Sequence, residues 1–248
     1  LGTVLLVVSS VLMSGWSGLL TVLLGGVPLA IVVTEFSQLY NFTVAESPDG
    51  IRLRHGLIQT QARTIPPGRA CAVEFVEPLF WRRRGWVRLY VTVAGLTKSD
   101  DDAGTESVLL PVAPRPVAED LFRRVMPGAD PAAVPTISPV KAVRRRAWIQ
   151  WRYLAAGMDA RIAVLRRGRV TRRTQVVDHA RVQSVRLTQG PWERSLGLAT
   201  VHLDLPPGRI NAYWPHFGLE QCQDLLADEI ARMRAARASD KSTRWMQN

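Results

Sequence analysis

Three arginines lie between two tryptophans in one short segment of the chain, and these residue types together suit an anionic surface. The segment consists of Trp81, Arg82, Arg83, Arg84, Gly85 and Trp86. Arginine binds phosphate oxygens, and the amphipathic indole ring favours the level of lipid headgroups. We therefore expect these residues to contact anionic lipid. The alternative is that Arg82 and Gly85 serve the geometry of a loop while Trp86 lies in the core.

A second basic cluster lies in the middle of the chain. Between residues 141 and 173 there are 11 lysines and arginines and one acid, Asp159. The cluster begins with cations and two further tryptophans: Arg144, Arg145, Arg146, Trp148 and Trp151. Each cation near an anionic leaflet contributes about 1 kcal/mol of attraction. Such a run is also typical of a solvated face, so both interpretations stay open.

Residues that could do catalysis or hold a metal are few. His179 follows Asp178, but no serine or cysteine stands in a nucleophile motif. His202, Asp204, His216 and Cys222 match no established zinc spacing. The only other cysteine is Cys71, and two cysteines are too few for a disulfide framework. We therefore predict a protein that is not an enzyme and that uses no cofactor or metal.

The composition excludes several classes of protein. Hydrophobic residues make up 47% of the 248 residues, which excludes a disordered chain, and 32 lysines and arginines against 21 acids give a net charge of +11. Such a charge could also serve nucleic acid. No helix-turn-helix, zinc-finger or RNA-recognition pattern accompanies it, so we expect no nucleic-acid partner.

The elements that must position these clusters begin with an apolar stretch. Residues 1–34 contain no charged residue and no histidine, and as one helix they would measure about 50 Å, against roughly 30 Å for the hydrocarbon core of a bilayer. We predict a transmembrane hairpin in residues 1–38, broken near residues 14–18, with its first helix truncated. All basic residues follow Thr34, which places the rest of the chain in the cytoplasm at the cell membrane. A buried pair of helices is the alternative.

An internal repeat organises the remainder of the chain. A shift of 112 residues aligns Leu53 with Leu165, Arg54 with Arg166, Gly56 with Gly168, Arg69 with Arg181, Val73 with Val185, Arg82 with Arg194, and Gly85 with Gly197. Phe80 and Trp192 also fall opposite each other. The shared offset predicts two copies of one domain.

Each copy has the pattern of several short strands followed by a helix. The first copy predicts strands at residues 42–47, 51–54, 58–65, 69–77, 86–93 and 107–112 and a helix at 117–125. The second predicts strands at 162–167, 170–177, 180–188, 198–205 and 210–214. Apolar residues at helical spacing from Leu219 to Met233 predict the closing helix.

Several short motifs resemble a known family. They are the Gly56-Leu57-Ile58 hairpin, Thr64-Ile65-Pro66, the strand end from Glu77 through Phe80 to Gly85, Leu110-Pro111-Val112 before a helix, and the run from Gln189 through Trp192 to Gly197. From about residue 17 to 236 the chain resembles the YdbS/YdbT-like bacterial pleckstrin-homology (PH) family, in a C-terminal part with two modules. The resemblance implies PH-like modules carried on transmembrane helices, and it supplies no catalytic residues.

The predicted fold class is α+β, with a transmembrane hairpin followed by two tandem PH-like modules. Each module is expected to be a curved antiparallel sheet or barrel closed by a C-terminal helix. The predicted segments are the hairpin at 1–38, module one at 39–127, a linker at 128–146, module two at 147–238 and a polar tail at 239–248. We expect a membrane-anchored binding or scaffolding protein with anionic phospholipids as partners. The alternative is a protein-binding scaffold of a membrane complex without lipid specificity, and the oligomeric state stays open.

Overall fold

The structure is a computed structural model that describes residues 25–47, 50–57, 61–66, 68–94 and 108–239. The chain divides into two units, one formed by Leu1–Ala45 with Arg52–Arg63 and the other by Glu46–Ile51 with Thr64–Asn248. The second unit contains both basic clusters. In the first unit, helix α1 (Val27–Leu39) precedes a stacked pair formed by Phe42 and His55, with ring centroids 5.4 Å apart.

The first copy of the repeat consists of strands followed by a helix, as its sequence predicts. Its elements are β1 (Thr43–Ser47), β2 (Gly50–His55), β3 (Gln61–Ile65), β4 (Ala70–Pro78), the short helix α2 (Leu79–Arg83), β5 (Trp86–Val93), β6 (Val108–Pro114) and α3 (Arg115–Val125).

The second copy has the same order of elements. After β7 (Thr136–Ile137) and the 3-10 turns Lys141–Arg145 and Trp151–Tyr153 come β8 (Ala155–Met158), β9 (Ile162–Arg167), β10 (Thr171–Asp178), the 3-10 turn His179–Arg181, β11 (Ser184–Thr188), the short helix α4 (Pro191–Ser195), β12 (Leu198–Asp204), β13 (Ala212–Gly218) and α5 (Leu219–Ser239).

The placement of these elements agrees with the predicted duplication. Strand β9 begins 112 residues after β2 (162 against 50), and α4 begins 112 residues after α2 (191 against 79). The offset falls to 104 for β13 against β6 (212 against 108), because the second copy has the shorter connection before that strand. Individual backbone hydrogen bonds also recur. The Arg115 amide donates to the Gly85 carbonyl, and at the equivalent place the Leu219 amide donates to the Gly197 carbonyl.

The strands form three open sheets, and the largest of them joins the two copies. Two sheets have three strands, in the orders β1-β2-β3 and β11-β12-β13, and the third has the order β6-β5-β4-β10-β9-β8-β7. Strand β4 of the first copy pairs antiparallel with β10 of the second, from Ala72 opposite Val177 to Pro78 opposite Thr171. Of the predicted curved sheet or barrel, the barrel is therefore wrong, because the sheets are open and strands of the two copies share one continuous sheet.

The central position of β4 explains an irregular feature of its sequence. A strand with one face in water alternates polar and apolar residues, whereas a strand covered on both faces does not. Residues 70–77 are all buried. Helix α3 covers part of this sheet with Ala118, Leu121, Phe122 and Val125, and the rings of Phe75 and Phe122 lie 5.3 Å apart.

The second copy has a core of its own. Helix α5 buries Cys222, Leu225, Glu229 and Met233 along one stripe. Trp214 of β13 is fully buried, and its indole nitrogen donates to the Val164 carbonyl of β9 over 3.4 Å. The second copy therefore has strands in two sheets and a closing helix, which bury a core between them.

The predicted transmembrane hairpin is contradicted by the structure. No helix within the described residues is both long enough and apolar enough to span a membrane. Helix α1 has 13 residues and ends before Tyr40, whose backbone is extended, whereas a spanning helix needs about 20 residues. The first helix of the predicted hairpin lies outside the described residues.

Candidate functional site

The first basic cluster lies where the two copies meet. Because Pro78 stands opposite Thr171, helix α2 begins beside the turn that joins β9 to β10. The guanidinium of Arg82 donates to the carbonyls of Arg169 and Val170 over 2.8 and 3.1 Å. Arg82 therefore fastens that turn to α2, which supports the structural interpretation of this residue.

The glycine that follows α2 also serves the backbone. Gly85 has a φ of +67°, and its repeat equivalent Gly197 has a φ of +64°. Side chains other than glycine rarely adopt this left-handed conformation. The loop-geometry interpretation therefore holds for Gly85 and for its equivalent, Gly197, in the second copy.

The two tryptophans of the cluster differ in their surroundings. Trp81 is half-buried, and the guanidinium carbon of Arg88 lies 5.5 Å from its ring centroid. Trp86 is 36% exposed, so the alternative that placed it in the core is wrong. The guanidinium of Arg84 lies 5.2 Å from the ring of Trp86. Arg83 is exposed and has no hydrogen bond or ion pair among the described residues.

Exposed apolar side chains accompany these cations, and the sequence interpretation missed them. Phe80 of α2 is 78% exposed and Val170 of the adjoining turn is 63% exposed. We define the tip patch as Leu79, Phe80, Arg83, Arg84, Trp86, Arg169 and Val170. No Asp or Glu occurs in the sequence between Glu77 and Asp100. The alignment of Phe80 with Trp192 was the available signal, since both are exposed aromatics at equivalent positions.

The second basic cluster is anchored by its apolar residues. Val143 is buried with Leu154 and Leu198, and Trp151 packs against the same small core. The guanidinium groups of Arg144 and Arg152 lie 5.6 and 5.3 Å from the ring of Trp151. The cluster is thus a surface segment held to β12 by its apolar side.

The outward side of this segment carries free cations and one exposed indole. Arg145 and Arg146 are exposed, and their side chains make no hydrogen bond or ion pair among the described residues. Trp148 is 73% exposed. No hydrogen bond, ion pair or ring contact within the described part of the chain links this segment to the tip patch, so the structure does not bring the two predicted clusters together.

The surroundings of the short helix α4 in the second copy differ from those of α2 in the first. Trp192 is 66% exposed, but the next residue, Glu193, is tied into the fold. Its carboxylate accepts from the Gly190 amide and the Thr200 hydroxyl, and it lies 2.7 Å from Nδ1 of His216. Burial raises the pKa of Glu193, but these hydrogen bonds outweigh burial and lower it overall.

The side chains of His202, Asp204 and Cys222 are hydrogen-bonded within the second copy. Arg186 donates two hydrogen bonds to Asp204, which lower the pKa of that carboxyl, and burial followed by the charge of Arg186 lowers the pKa of His202. Burial raises the pKa of Cys222 to about 12. Within the described ranges, no group of three or more such side chains could hold a metal ion.

His179 is buried rather than exposed on a turn. Its Nδ1 lies 2.7 Å from Oε1 of Glu229 on α5, and both side chains are fully buried. The preceding Asp178 accepts from the Ala180 amide and so caps the 3-10 turn. Asp178 therefore caps the turn instead of orienting the imidazole, and the partner of His179 comes from the closing helix.

Both copies of the repeat match one known protein family. Residues 3–129 and 132–234 each match the bacterial PH domain family. The chain belongs to the bacterial PH domain family. The two matched segments confirm the predicted tandem modules, and PH-like domains of this kind are generally non-catalytic. No curated protein and no solved structure matches the chain.

Proposed function

We propose that this bacterial PH domain protein is a non-catalytic binding scaffold whose tip patch contacts anionic lipid headgroups. The observation that carries the proposal is the exposure of Phe80 and Val170 beside Arg83, Arg84 and Arg169, with no acid in either stretch of sequence. An apolar tip ringed by cations matches both layers of an anionic membrane surface.

The energies of such a contact favour association. Burying a phenylalanine side chain contributes about 2 kcal/mol, and each cation near an anionic leaflet adds about 1 kcal/mol. The bonds from Arg82 hold the two sides of the patch together before any ligand binds, so little ordering entropy is lost.

The second cluster supplies a separate contact of the same chemistry. Trp148, Arg145 and Arg146 are exposed and present an indole beside free cations. Two weak contacts on one scaffold bind a surface more tightly than either alone. We propose the cytoplasmic face of the cell membrane as the location, since anionic lipids give that leaflet its negative potential.

Co-sedimentation of the full chain with vesicles tests this function. We expect binding to phosphatidylglycerol vesicles to exceed binding to phosphatidylcholine vesicles and to weaken at physiological salt. The double variant Arg83→Gln/Arg84→Gln should lose about 30-fold in affinity, the equivalent of about 2 kcal/mol. Residues 1–34 are unchanged in every variant, so their contribution cancels.

The matched control removes the same charge elsewhere. Arg52→Gln/Arg234→Gln changes two exposed arginines that have no hydrogen bond or ion pair among the described residues. We expect it to retain most of the affinity. Equal loss in both double variants, or equal binding to neutral and anionic vesicles, contradicts the proposal.

A protein-binding scaffold is the second candidate, and strand β11 favours it. By the repeat, Ser184–Thr188 is equivalent to the part of β4 that pairs with β10, yet no strand among the described residues pairs with the outer edge of β11. An extended peptide could add there through backbone hydrogen bonds. Partner capture that persists at high salt and in the Arg83→Gln/Arg84→Gln variant would favour this function.

A further inference from the structure

A cleft of about 720 Å³ lies at the junction of the two copies, apart from the tip patch. The first copy contributes β4 and α3, and the second contributes β9, β10 and the segment before β8. The stretch between the copies closes one side. The lining of the cleft includes Glu77, Phe122, Arg123, Arg152, Tyr153 and Arg166.

The stretch between the copies is fixed to the sheet beside the cleft. Arg166 of β9 donates to the Pro131 carbonyl over 2.9 Å, and Arg161 donates to the carbonyl of Pro127. On the opposite wall, Arg115 donates to Glu77 and to Glu119 over 2.9 and 2.8 Å. Both walls are therefore held in place without a ligand, as is usual for small-molecule sites.

The charges of the lining do not balance. Five arginines face three acids. Glu77 and Glu119 both bind Arg115, and Asp130 accepts from the Ala132 amide. Two of the arginines, Arg123 and Arg152, are exposed and have no carboxylate partner among the described residues.

The β4 end of the cleft offers an acceptor. Glu77 is buried, and its Oε2 accepts no hydrogen bond from any described residue. Nη1 of Arg172 lies 4.0 Å from this oxygen, which is beyond hydrogen-bond distance. A buried acceptor without a donor is costly, so a ligand that brings a hydroxyl group to this end would be favoured.

We propose that this cleft binds a phosphate monoester that carries a hydroxyl-bearing organic group. Its dianion offsets the two unpaired cations, and guanidinium groups bind phosphate oxygens through paired hydrogen bonds. The volume exceeds that of phosphate alone and falls in the range of small-molecule sites. Phe122 and Tyr153 provide apolar contact for the organic group.

The same chemistry has two sources, and calorimetry with the full chain separates them. The probes are glycerol 3-phosphate as a free monoester and vesicles containing phosphatidic acid as a lipid monoester, each compared with chloride at equal ionic strength. Saturable binding of glycerol 3-phosphate with one site per chain supports a soluble ligand. Without glycerol 3-phosphate binding, a preference for phosphatidic acid over phosphatidylglycerol vesicles that disappears in Arg123→Gln/Arg152→Gln assigns the site to a lipid headgroup.

Variants decide whether the cleft is responsible. Arg123→Gln/Arg152→Gln should weaken glycerol 3-phosphate binding at least 10-fold, whereas Arg52→Gln/Arg234→Gln removes the same charge outside the cleft and outside both basic clusters and should leave it unchanged. Loss of the tip patch through Arg83→Gln/Arg84→Gln should also leave glycerol 3-phosphate binding unchanged, so this site can fail or succeed independently of the proposed function. Binding of neither probe, or equal binding in the cleft variant, overturns the proposal.

Discussion

One buried acid stabilises the seam between the copies, which is the pairing of β4 with β10. Glu74 of β4 stands opposite Gln175 of β10 and accepts a hydrogen bond from its amide over 2.8 Å. Arg173 and Arg167 of the second copy approach the same carboxylate at 3.3 and 3.8 Å. A buried charge is tolerated only when it is paired and hydrogen-bonded. The seam between the copies thus depends on a polar group as well as on apolar burial.

We expect Glu74→Ala to lower the free energy of unfolding by about 3 kcal/mol, because it leaves buried donors without their acceptor. Denaturant unfolding measures the change. Asp120→Asn is the control, since it breaks an exposed ion pair with Arg124 on α3 and should cost less than about 1 kcal/mol. A loss for Glu74→Ala no larger than that of the control would contradict the role of Glu74.

The two thiols should be inert in the folded protein. Cys71 and Cys222 are free and fully buried, and burial raises the pKa of both. The thiolate is the reactive form. We expect neither cysteine to react with a thiol reagent at pH 8 and both to react in denaturant. Rapid labelling of the native chain would show that the core opens locally.

At the scale of elements, the short helices α2 and α4 occupy equivalent positions but are stabilised differently. In α2, Arg82 reaches across to the second copy, whereas in α4 Glu193 accepts from the amide of Gly190 and completes the cap. Helix α2 therefore contributes a contact between the two copies, whereas α4 is stabilised by a cap of its own. Divergence of this kind leaves the backbone unchanged while it alters the surface.

The cap of α4 predicts a pH dependence. Because the pKa of Glu193 is lower in the folded state, its stabilisation is present above the unfolded pKa and is lost as the pH falls through the folded pKa. Glu193→Gln should cost about 1 kcal/mol at pH 7. Unfolding measured from pH 7 down to pH 3 should show this difference shrinking. A difference that stays constant or grows toward low pH would contradict the assignment.

At the scale of the whole molecule, the continuous sheet should make the two copies unfold together. Strand β4 is central to the sheet, so the first copy cannot open without exposing β10. We expect one transition, with coincident curves from circular dichroism and tryptophan fluorescence. Two separated transitions would show that the copies are independent.

The sequence predicted most of the longer elements, but it predicted neither the short ones, β7, β8, α2 and α4, nor the joining of the two copies. Strand β9 and strand β5 match the predicted ranges, because turn residues mark their ends locally. The pairing of β4 with β10 joins residues about a hundred positions apart, and no local pattern specifies it. The buried partner of Glu74 follows from that pairing, so it could not be read from periodicity.

The most direct test of the proposed function places a reporter on the tip patch. Phe80→Cys labelled with an environment-sensitive fluorophore reports on one position, because the two natural cysteines are buried. We expect a blue shift and a stronger signal with phosphatidylglycerol vesicles, and little change with phosphatidylcholine vesicles or for a label at the exposed Glu220→Cys. An unchanged spectrum in chains that have co-sedimented with anionic vesicles would contradict contact through the tip patch.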